Sequence, residues 1–425
     1  MSATQLKAPQ HNAPKICQLP DGLTIVAEQM PVEAVNLNVW LNVGSVVEPD
    51  AINGMAHFLE HMVFKGTPNL QAGEFDRVIE ERGAMMNAAT SQDYTHYFIT
   101  TAPKDFAELA PLQLDVACHP SIPDEEFERE RLVVLEEICR AEDNPKRRTF
   151  RRAMETCFER LPYRRQVLGS ASAVSELTPG QMRDFHAHWY QPEAMTVAAV
   201  GNLPVEELIA TVADSWDEKS QTSRVASEPA YLQPESPFTE IVRQEYVDES
   251  LQQARLVMVW RVPGMTELPE TYALDVLSAI LGQGKMSRLL RDLREKRQLV
   301  SSIGAGNMTQ QLQGCFYISA QLPAENLAEV EAAITQHLRR LQAEPVAESD
   351  LARICTQVAN RYIFGSEKPS NRAYLYGYFQ SQLGDLAPAL HYPQSIQAIE
   401  AADVQAAAQR YLSPDAYGVV VMRPA

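Results

Sequence analysis

Residues 55–64, Met-Ala-His57-Phe-Leu-Glu60-His61-Met-Val-Phe, form an apolar stretch that only two histidines and one glutamate interrupt. The pattern predicts a helix, with Asn53 as its N-cap. Side chains four residues apart lie on one face of a helix, so His57 and His61 can bind the same metal ion. Glu60 flanks that face, and a charge in so apolar a segment is costly unless a cation lies beside it. The competing interpretation is a helix with two core or capping histidines.

A catalytic zinc site needs three protein ligands and one open position, so a third ligand must come from elsewhere. The best source is an acidic helix that is predicted from Asp124 to Asp143. Glu130 and Glu137 are two turns apart on one face of it, so one could bind a metal and the other an imidazole N–H. Spacing alone does not rank Glu137 over Glu136. The competing interpretation of each glutamate is a solvated helix face.

Composition narrows the class of protein. The chain has 425 residues, of which 45% are apolar, and this excludes intrinsic disorder. Its net charge of -18 argues against binding of nucleic acid, because phosphate contacts need a basic face. No run approaches the roughly 18 apolar residues of a membrane span, and residues 1–15 lack the apolar segment of a secretory signal. The six cysteines include no CxxC pair and indicate a reducing compartment, so we expect a cytoplasmic protein.

The two halves of the chain are similar to each other. Residues 217–238 are rich in Ser, Glu and Pro and predict a linker between domains at 1–216 and 239–425. Pro192 and Pro414, 222 residues apart, each lie between a helix end and an apolar strand. The sequence therefore indicates a duplication, for which a chance repeat of common helix–turn–strand grammar is the alternative. In the second half the counterparts of the three metal-site residues are apolar: Leu277, Ile280 and Leu281.

Strand and helix signals occur in both halves. We predict an α+β protein of two homologous domains, each a mainly antiparallel sheet with helices packed on one face. Met85 to Ser91 and Tyr94 to Thr101 are predicted strands around a short turn. If the first is an edge strand, an extended peptide can add to it, and Asn87 could bind the peptide backbone. The alternative is an interior strand with Asn87 in a turn.

Three segments resemble a known family. Residues 54–67, which contain the His-Phe-Leu-Glu-His motif, resemble the zinc-site signature of the insulinase/pitrilysin metallopeptidases. Residues 83–97 resemble the substrate-binding edge strand of that family, and residues 281–295 its second-half signature. The similarity is greatest to the short, two-domain branch that includes mitochondrial processing peptidase. The resemblance implies a zinc metalloendopeptidase with an inverted HxxEH motif and one Zn2+ per chain.

The resemblance also implies roles for single residues. The family has its third zinc ligand about 76 residues past the second histidine, and Glu137 stands 76 residues after His61. His57, His61 and Glu137 are then the zinc ligands, and Glu130 supports them. Glu60 is implied as the catalytic base that accepts a proton from the zinc-bound water.

Substrate contacts are implied for Asn87, Ala88 and Arg294. The family has a tyrosine seven residues after that arginine, but position 301 is Ser301. In the dimeric branch these groups reach the zinc from the partner's second half. We therefore expect peptide substrates in a chamber between two chains, either a homodimer with a weakened site or a heterodimer with a related chain that supplies the tyrosine. A non-catalytic scaffold relative is the remaining alternative.

Overall fold

The computed structural model describes residues 13–216 and 232–425. Most of the predicted linker, residues 217–238, lies outside the described residues, and residues 232–238 form neither helix nor strand. Most of residues 1–15, for which no signal peptide was expected, also lies outside them. No helix among the described residues combines the length and the apolar character that crossing a membrane requires.

The first sheet contains six strands in the order β1-β2-β6-β3-β5-β4. The β2–β6 pair is parallel, and the other pairs are antiparallel. Among the described strands β4 pairs with β5 alone, so it is an edge strand and the alternative of an interior strand does not hold. The strands are β1 Lys15–Gln18, β2 Thr24–Gln29, β3 Val35–Leu41, β4 Met85–Thr90, β5 Thr95–Thr101 and β6 Met195–Gly201.

The second sheet contains five strands in the order β7-β11-β8-β10-β9. This order matches β2-β6-β3-β5-β4 of the first sheet, and the parallel pair, β7–β11, falls at the same place. The predicted architecture of two mainly antiparallel sheets is confirmed, and the shared order supports a duplication. The strands are β7 Ile241–Val247, β8 Ala254–Pro263, β9 Ser302–Met308, β10 Gln313–Leu322 and β11 Tyr417–Arg423.

Helices connect the strands in both halves, and a π-helical segment, Leu290–Lys296, precedes β9. The described residues contain the α-helices α1 Met55–Met62, α2 Glu74–Glu81, α3 Phe106–Cys118, α4 Asp124–Asp143, α5 Pro145–Cys157, α6 Ala171–Glu176, α7 Pro179–Trp189, α8 Val205–Asp214, α9 Leu268–Gly282, α10 Leu327–Ala343, α11 Glu348–Gly365, α12 Pro369–Leu383, α13 Ala387–Gln397 and α14 Ala401–Tyr411.

The chain forms two compact units. Each half of the sequence forms most of one unit and contributes a short segment to the other unit. The prediction of one domain per half of the sequence did not include this exchange of segments. The predicted domain boundaries, 1–216 and 239–425, remain predictions. Among the described residues, one unit contains 13–136, 167–216 and 362–390, and the other contains 137–166, 232–361 and 391–425.

Helix α12 belongs to the first unit and covers one face of its sheet. Tyr374 lies edge-on to Trp40 of β3, with ring centroids 5.1 Å apart. The Arg372 guanidinium lies 3.3 Å from the carboxylate of Glu28, which is fully buried. Adjacent residues on a strand point to opposite faces, so Val39 points away from the face on which Trp40 meets α12. Tyr97 pairs with Val39 and points to the same side as Val39, where Phe64 contacts it.

Helix α5 has the corresponding place in the second unit. The Thr149 hydroxyl donates to Met422 Sδ at 2.9 Å, and Arg261 Nε donates to the carbonyl of Cys157 at 2.6 Å. The apolar core lies on the opposite face of this sheet and includes Leu277, Ile280 and Leu281 of α9, which are 0%, 2% and 0% exposed. These counterparts of the metal-site residues therefore pack as core.

Candidate metal centre

Helix α1 carries the histidine motif and begins in an unexpected way. Its N-cap is Gly54, in a left-handed conformation at φ 102°, so the prediction of Asn53 as N-cap was wrong. The buried carboxylate of Glu48 accepts the backbone N–H groups of Gly54 at 2.9 Å and Ala56 at 2.8 Å. It also accepts the Asn53 amide at 2.8 Å. A carboxylate favours a helix N-terminus, because unpaired N–H groups and the helix dipole meet it there.

The structure brings the three predicted ligands together. One ligand atom from each of His57, His61 and Glu137 lies within 4.8 Å of the others, and this is the one such group of three found among residues 13–216 and 232–425. The two imidazole rings are one helical turn apart, with centroids separated by 4.8 Å. Phe58 stacks on Phe127 at 4.4 Å and holds α1 against α4. Since α4 is continuous, Glu137 is fixed two turns after Glu130.

The donor set fits a divalent metal such as zinc. His57 is 7% exposed, and burial, followed by the proximity of His61, lowers the pKa of His57 to about 3. A neutral imidazole is the form that binds a metal. Two imidazoles and one carboxylate are a ligand set of catalytic zinc sites, in which bonds are about 2.1 Å long.

Glu130 lies behind the ligands. His61 Nδ1 lies 2.9 Å from Glu130 Oε1, and Lys65 Nζ lies 2.7 Å from Oε2. Burial raises the pKa of Glu130, but hydrogen bonds from His61 and Lys65 and the Lys65 charge outweigh it, so the pKa is lowered overall. An ionised carboxylate only accepts hydrogen bonds, so Nδ1 of His61 donates its hydrogen to Glu130, and Nε2 is the nitrogen that would remain available to a metal. Sequence reasoning missed Lys65, whose signal is a cation one turn after His61.

Glu60, on α1, directs its carboxylate to the edge strand β4. The Thr90 hydroxyl donates to Glu60 Oε2 at 2.5 Å. Glu60 also raises the pKa of the buried Tyr97 through its negative charge, although burial and the Tyr190 hydroxyl contribute more. Sequence reasoning did not single out Thr90, whose only signal is its place at the end of a predicted edge strand.

The open edge of β4 is formed by alternate residues. Ser91 N–H donates to the Tyr94 carbonyl at 2.8 Å, so this pair is hydrogen-bonded and the neighbouring Thr90–Thr95 pair is not. By alternation, the backbone groups of Ala88 and Thr90 point away from β5. The predicted Asn87 is exposed, and its side-chain oxygen accepts the Ala88 N–H at 2.9 Å.

Arg294 lies in the second unit, on the π-helical segment, whereas Asn87 and Ala88 lie in the first. Its side chain is half exposed and 3.9 Å from Glu295. Ser301, where the resemblance leads one to expect a tyrosine, donates its hydroxyl to Gln253 Oε1 at 2.8 Å or to the Gln321 carbonyl at 2.9 Å.

Family models, known proteins and solved structures are similar to this chain. The family model for Insulinase (Peptidase family M16) matches residues 24–171, and the model for the Peptidase M16 inactive domain matches residues 176–358. An uncharacterised zinc protease of Streptomyces coelicolor is 30% identical over 358 residues, which cover 82% of this chain and 76% of that protein. One of Mycobacterium tuberculosis is 29% identical over 413 residues, covering 97% and 93%. A crystal structure of a protease from Helicobacter pylori superposes with a TM-score of 0.90 at 26% identity, covering 97% of this chain and 99% of that one.

Proposed function

Because the chain belongs to peptidase family M16, the insulinase family, we propose that it is a zinc metalloendopeptidase that hydrolyses peptides and short unstructured polypeptides. The observation that carries the proposal is the convergence of His57, His61 and Glu137, with Glu60 on the same helix. Relatives that span most of the chain are named zinc proteases, which supports the proposal further.

His57, His61 and Glu137 would hold one zinc ion and leave a position open. A bound zinc ion supplies a Lewis acid that acidifies water and polarises the scissile carbonyl. Glu60 takes a proton from the attacking water and delivers it to the leaving amine. Glu130 keeps His61 in the orientation and tautomer that metal binding requires, since it accepts the Nδ1–H.

Peptides would bind as an additional strand on β4. Backbone pairing at an open edge tolerates many sequences, so selectivity comes from pockets and from the electrostatic field. A chain with a net charge of -18 favours basic peptides, and added salt is expected to slow their cleavage. Asn87 and Ala88 would contact the peptide backbone. Arg294 would contact a peptide in a chamber that two chains enclose, as in a homodimer.

A second candidate is a subunit of a heterodimeric peptidase. The observation that favours it is Ser301, a short side chain that hydrogen-bonds within its own unit. A related partner chain would then supply the missing tyrosine. Gel filtration and activity of the chain alone separate the two cases. A non-catalytic scaffold is disfavoured, because such a protein has no need of a complete ligand set.

The cytoplasmic location also remains a prediction, which the six free cysteines favour.

The test is a Glu60→Gln variant of the chain purified alone, with cleavage of unstructured basic peptides as the assay. General acid–base catalysis accelerates reactions roughly 10²–10⁴-fold, so we expect turnover to fall by a factor in this range or by more. The zinc content is expected to stay at the wild-type level. Glu80→Gln, an exposed change on α2, is the matched control and keeps full activity. Unchanged turnover in Glu60→Gln would remove Glu60 from the mechanism, and an inactive wild-type chain that binds no zinc would contradict the proposed function.

A further inference from the structure

Thr90 lies where the open edge of β4 meets helix α1, and no role has been assigned to it. We propose that Thr90 is a positioning residue, which holds the Glu60 carboxylate in register with a peptide that adds to β4. The inference rests on the proposed peptidase function and adds to it a link between substrate binding and the base.

The side chain of Thr90 makes the first half of this link. Its Oγ1 lies 2.5 Å from Glu60 Oε2. An ionised carboxylate only accepts hydrogen bonds, so the single hydroxyl hydrogen of Thr90 must be donated to Glu60. Hydrogen bonds to an ionised acceptor are short and about twice as strong as neutral ones. The bond therefore restricts rotation of the Glu60 carboxylate, which is the group that must meet the attacking water.

The backbone of Thr90 makes the second half. Thr90 pairs with Thr95, next to the hydrogen-bonded Ser91–Tyr94 pair, so its own N–H and C=O point to the open edge. A peptide that adds to β4 would pair with these groups. The same residue would thus contact the peptide through its backbone and Glu60 through its hydroxyl, so a single residue sets the distance between the peptide and the base.

Thr95 supports the position of Thr90 from behind. It is fully buried, and its hydroxyl donates to the Val43 carbonyl at 2.9 Å while lying 3.5 Å from Thr90 Oγ1. Threonine has few side-chain rotamers because it branches at Cβ. Packing against Thr95 therefore keeps the Thr90 hydroxyl directed at Glu60.

The experiment compares Thr90→Val, Thr90→Ser and wild type. Valine has the shape of threonine and suits a strand equally well, so it removes the hydroxyl without disturbing β4. We expect kcat to fall 10- to 100-fold in Thr90→Val, with KM within threefold and zinc content unchanged. Thr90→Ser, which keeps the hydroxyl, is expected to recover kcat to within about threefold of wild type, because it can still donate to Glu60. A kcat in Thr90→Val equal to that of wild type would overturn the proposal, as would a Thr90→Ser variant that is as slow as Thr90→Val.

A second measurement needs no activity and separates this inference from the proposed function. In metal-free protein labelled at threonine, the Thr90 hydroxyl proton is expected to exchange slowly with water, and Glu60→Gln is expected to speed its exchange at least tenfold. Fast exchange in wild type would refute the hydrogen bond even if the chain cleaves peptides. Slow exchange in a chain that cleaves nothing would support the bond and leave only the peptidase proposal contradicted.

Discussion

Glu130→Gln tests whether the carboxylate behind His61 tunes the metal site. The substitution keeps the volume of the side chain but removes its charge. In the structure one oxygen of Glu130 lies 2.9 Å from His61 Nδ1 and the other lies 2.7 Å from Lys65 Nζ. A glutamine amide can accept from only one of these two donors, and its NH2 group would then face the other.

The magnitude follows from these contacts. Glu130 is 9% exposed, so solvent screens its contacts weakly. Hydrogen bonds to charged groups contribute about 1.5–3 kcal/mol, against about 0.5–1.5 kcal/mol for neutral pairs. Loss of a carboxylate that orients a ligating histidine typically weakens metal binding about 10- to 100-fold. We therefore expect Glu130→Gln to raise the zinc dissociation constant by this factor, with kcat at saturating zinc within about threefold of wild type.

The assay is competition for zinc against a fluorescent chelator at neutral pH. Glu125→Gln, at an exposed position of the same helix, is the matched control and is expected to bind zinc as wild type does. Equal zinc affinity in Glu130→Gln and Glu125→Gln would refute the orienting role. So would a large loss of kcat in Glu130→Gln at saturating zinc, because this would place Glu130 in the chemistry itself.

Two further predictions concern stability. A Cβ at Gly377 would lie 2.0 Å from Trp40 Nε1, so Gly377→Ala is expected to lower the free energy of unfolding by about 1–3 kcal/mol. A Cβ at Gly365 would have no atom within 4 Å, so Gly365→Ala is expected to preserve or raise the free energy of unfolding. Urea denaturation that finds the two variants equally stable would contradict the close contact between helix α12 and strand β3. Burial lowers the pKa of His96 to about 4, so the unfolded chain takes up a proton below about pH 6.5 that the native chain does not, and stability of the metal-free protein is expected to fall as the pH decreases from about 6.5 to 4. Burial also lowers the pKa values of His57 and His186, so His96→Gln is expected to reduce this slope without abolishing it. A pH profile parallel to that of wild type would show that His96 does not contribute.

Local patterns made part of this structure predictable. The helix around His57, the acidic helix and the hairpin that ends at Thr101 follow from residue periodicity and turn residues, and all three are present. The side-by-side placement of His57 and His61 was predictable because four-residue spacing on a helix dictates a shared face. Glu136 and Glu137 became distinguishable only in three dimensions, because consecutive helical residues point about 100° apart.

Contacts between distant residues were beyond such patterns. The N-cap prediction failed because Glu48, which lies before the helix in the chain, supplies the acceptor that Asn53 was expected to supply. The exchange of α5 and α12 between units depends on pairs such as Glu28 and Arg372, which are 344 residues apart. Thr90 likewise meets Glu60 only because β4 folds back along α1.

The most direct test of the account is the amount of zinc bound per chain in wild type, Glu137→Gln and Glu136→Gln, measured at equal free zinc. If two imidazoles and the carboxylate of Glu137 share one ion, wild type and Glu136→Gln bind one zinc each, and Glu137→Gln binds at least about 100-fold more weakly. Full zinc occupancy of Glu137→Gln, or the same loss of zinc binding in both variants, would contradict the proposed metal centre.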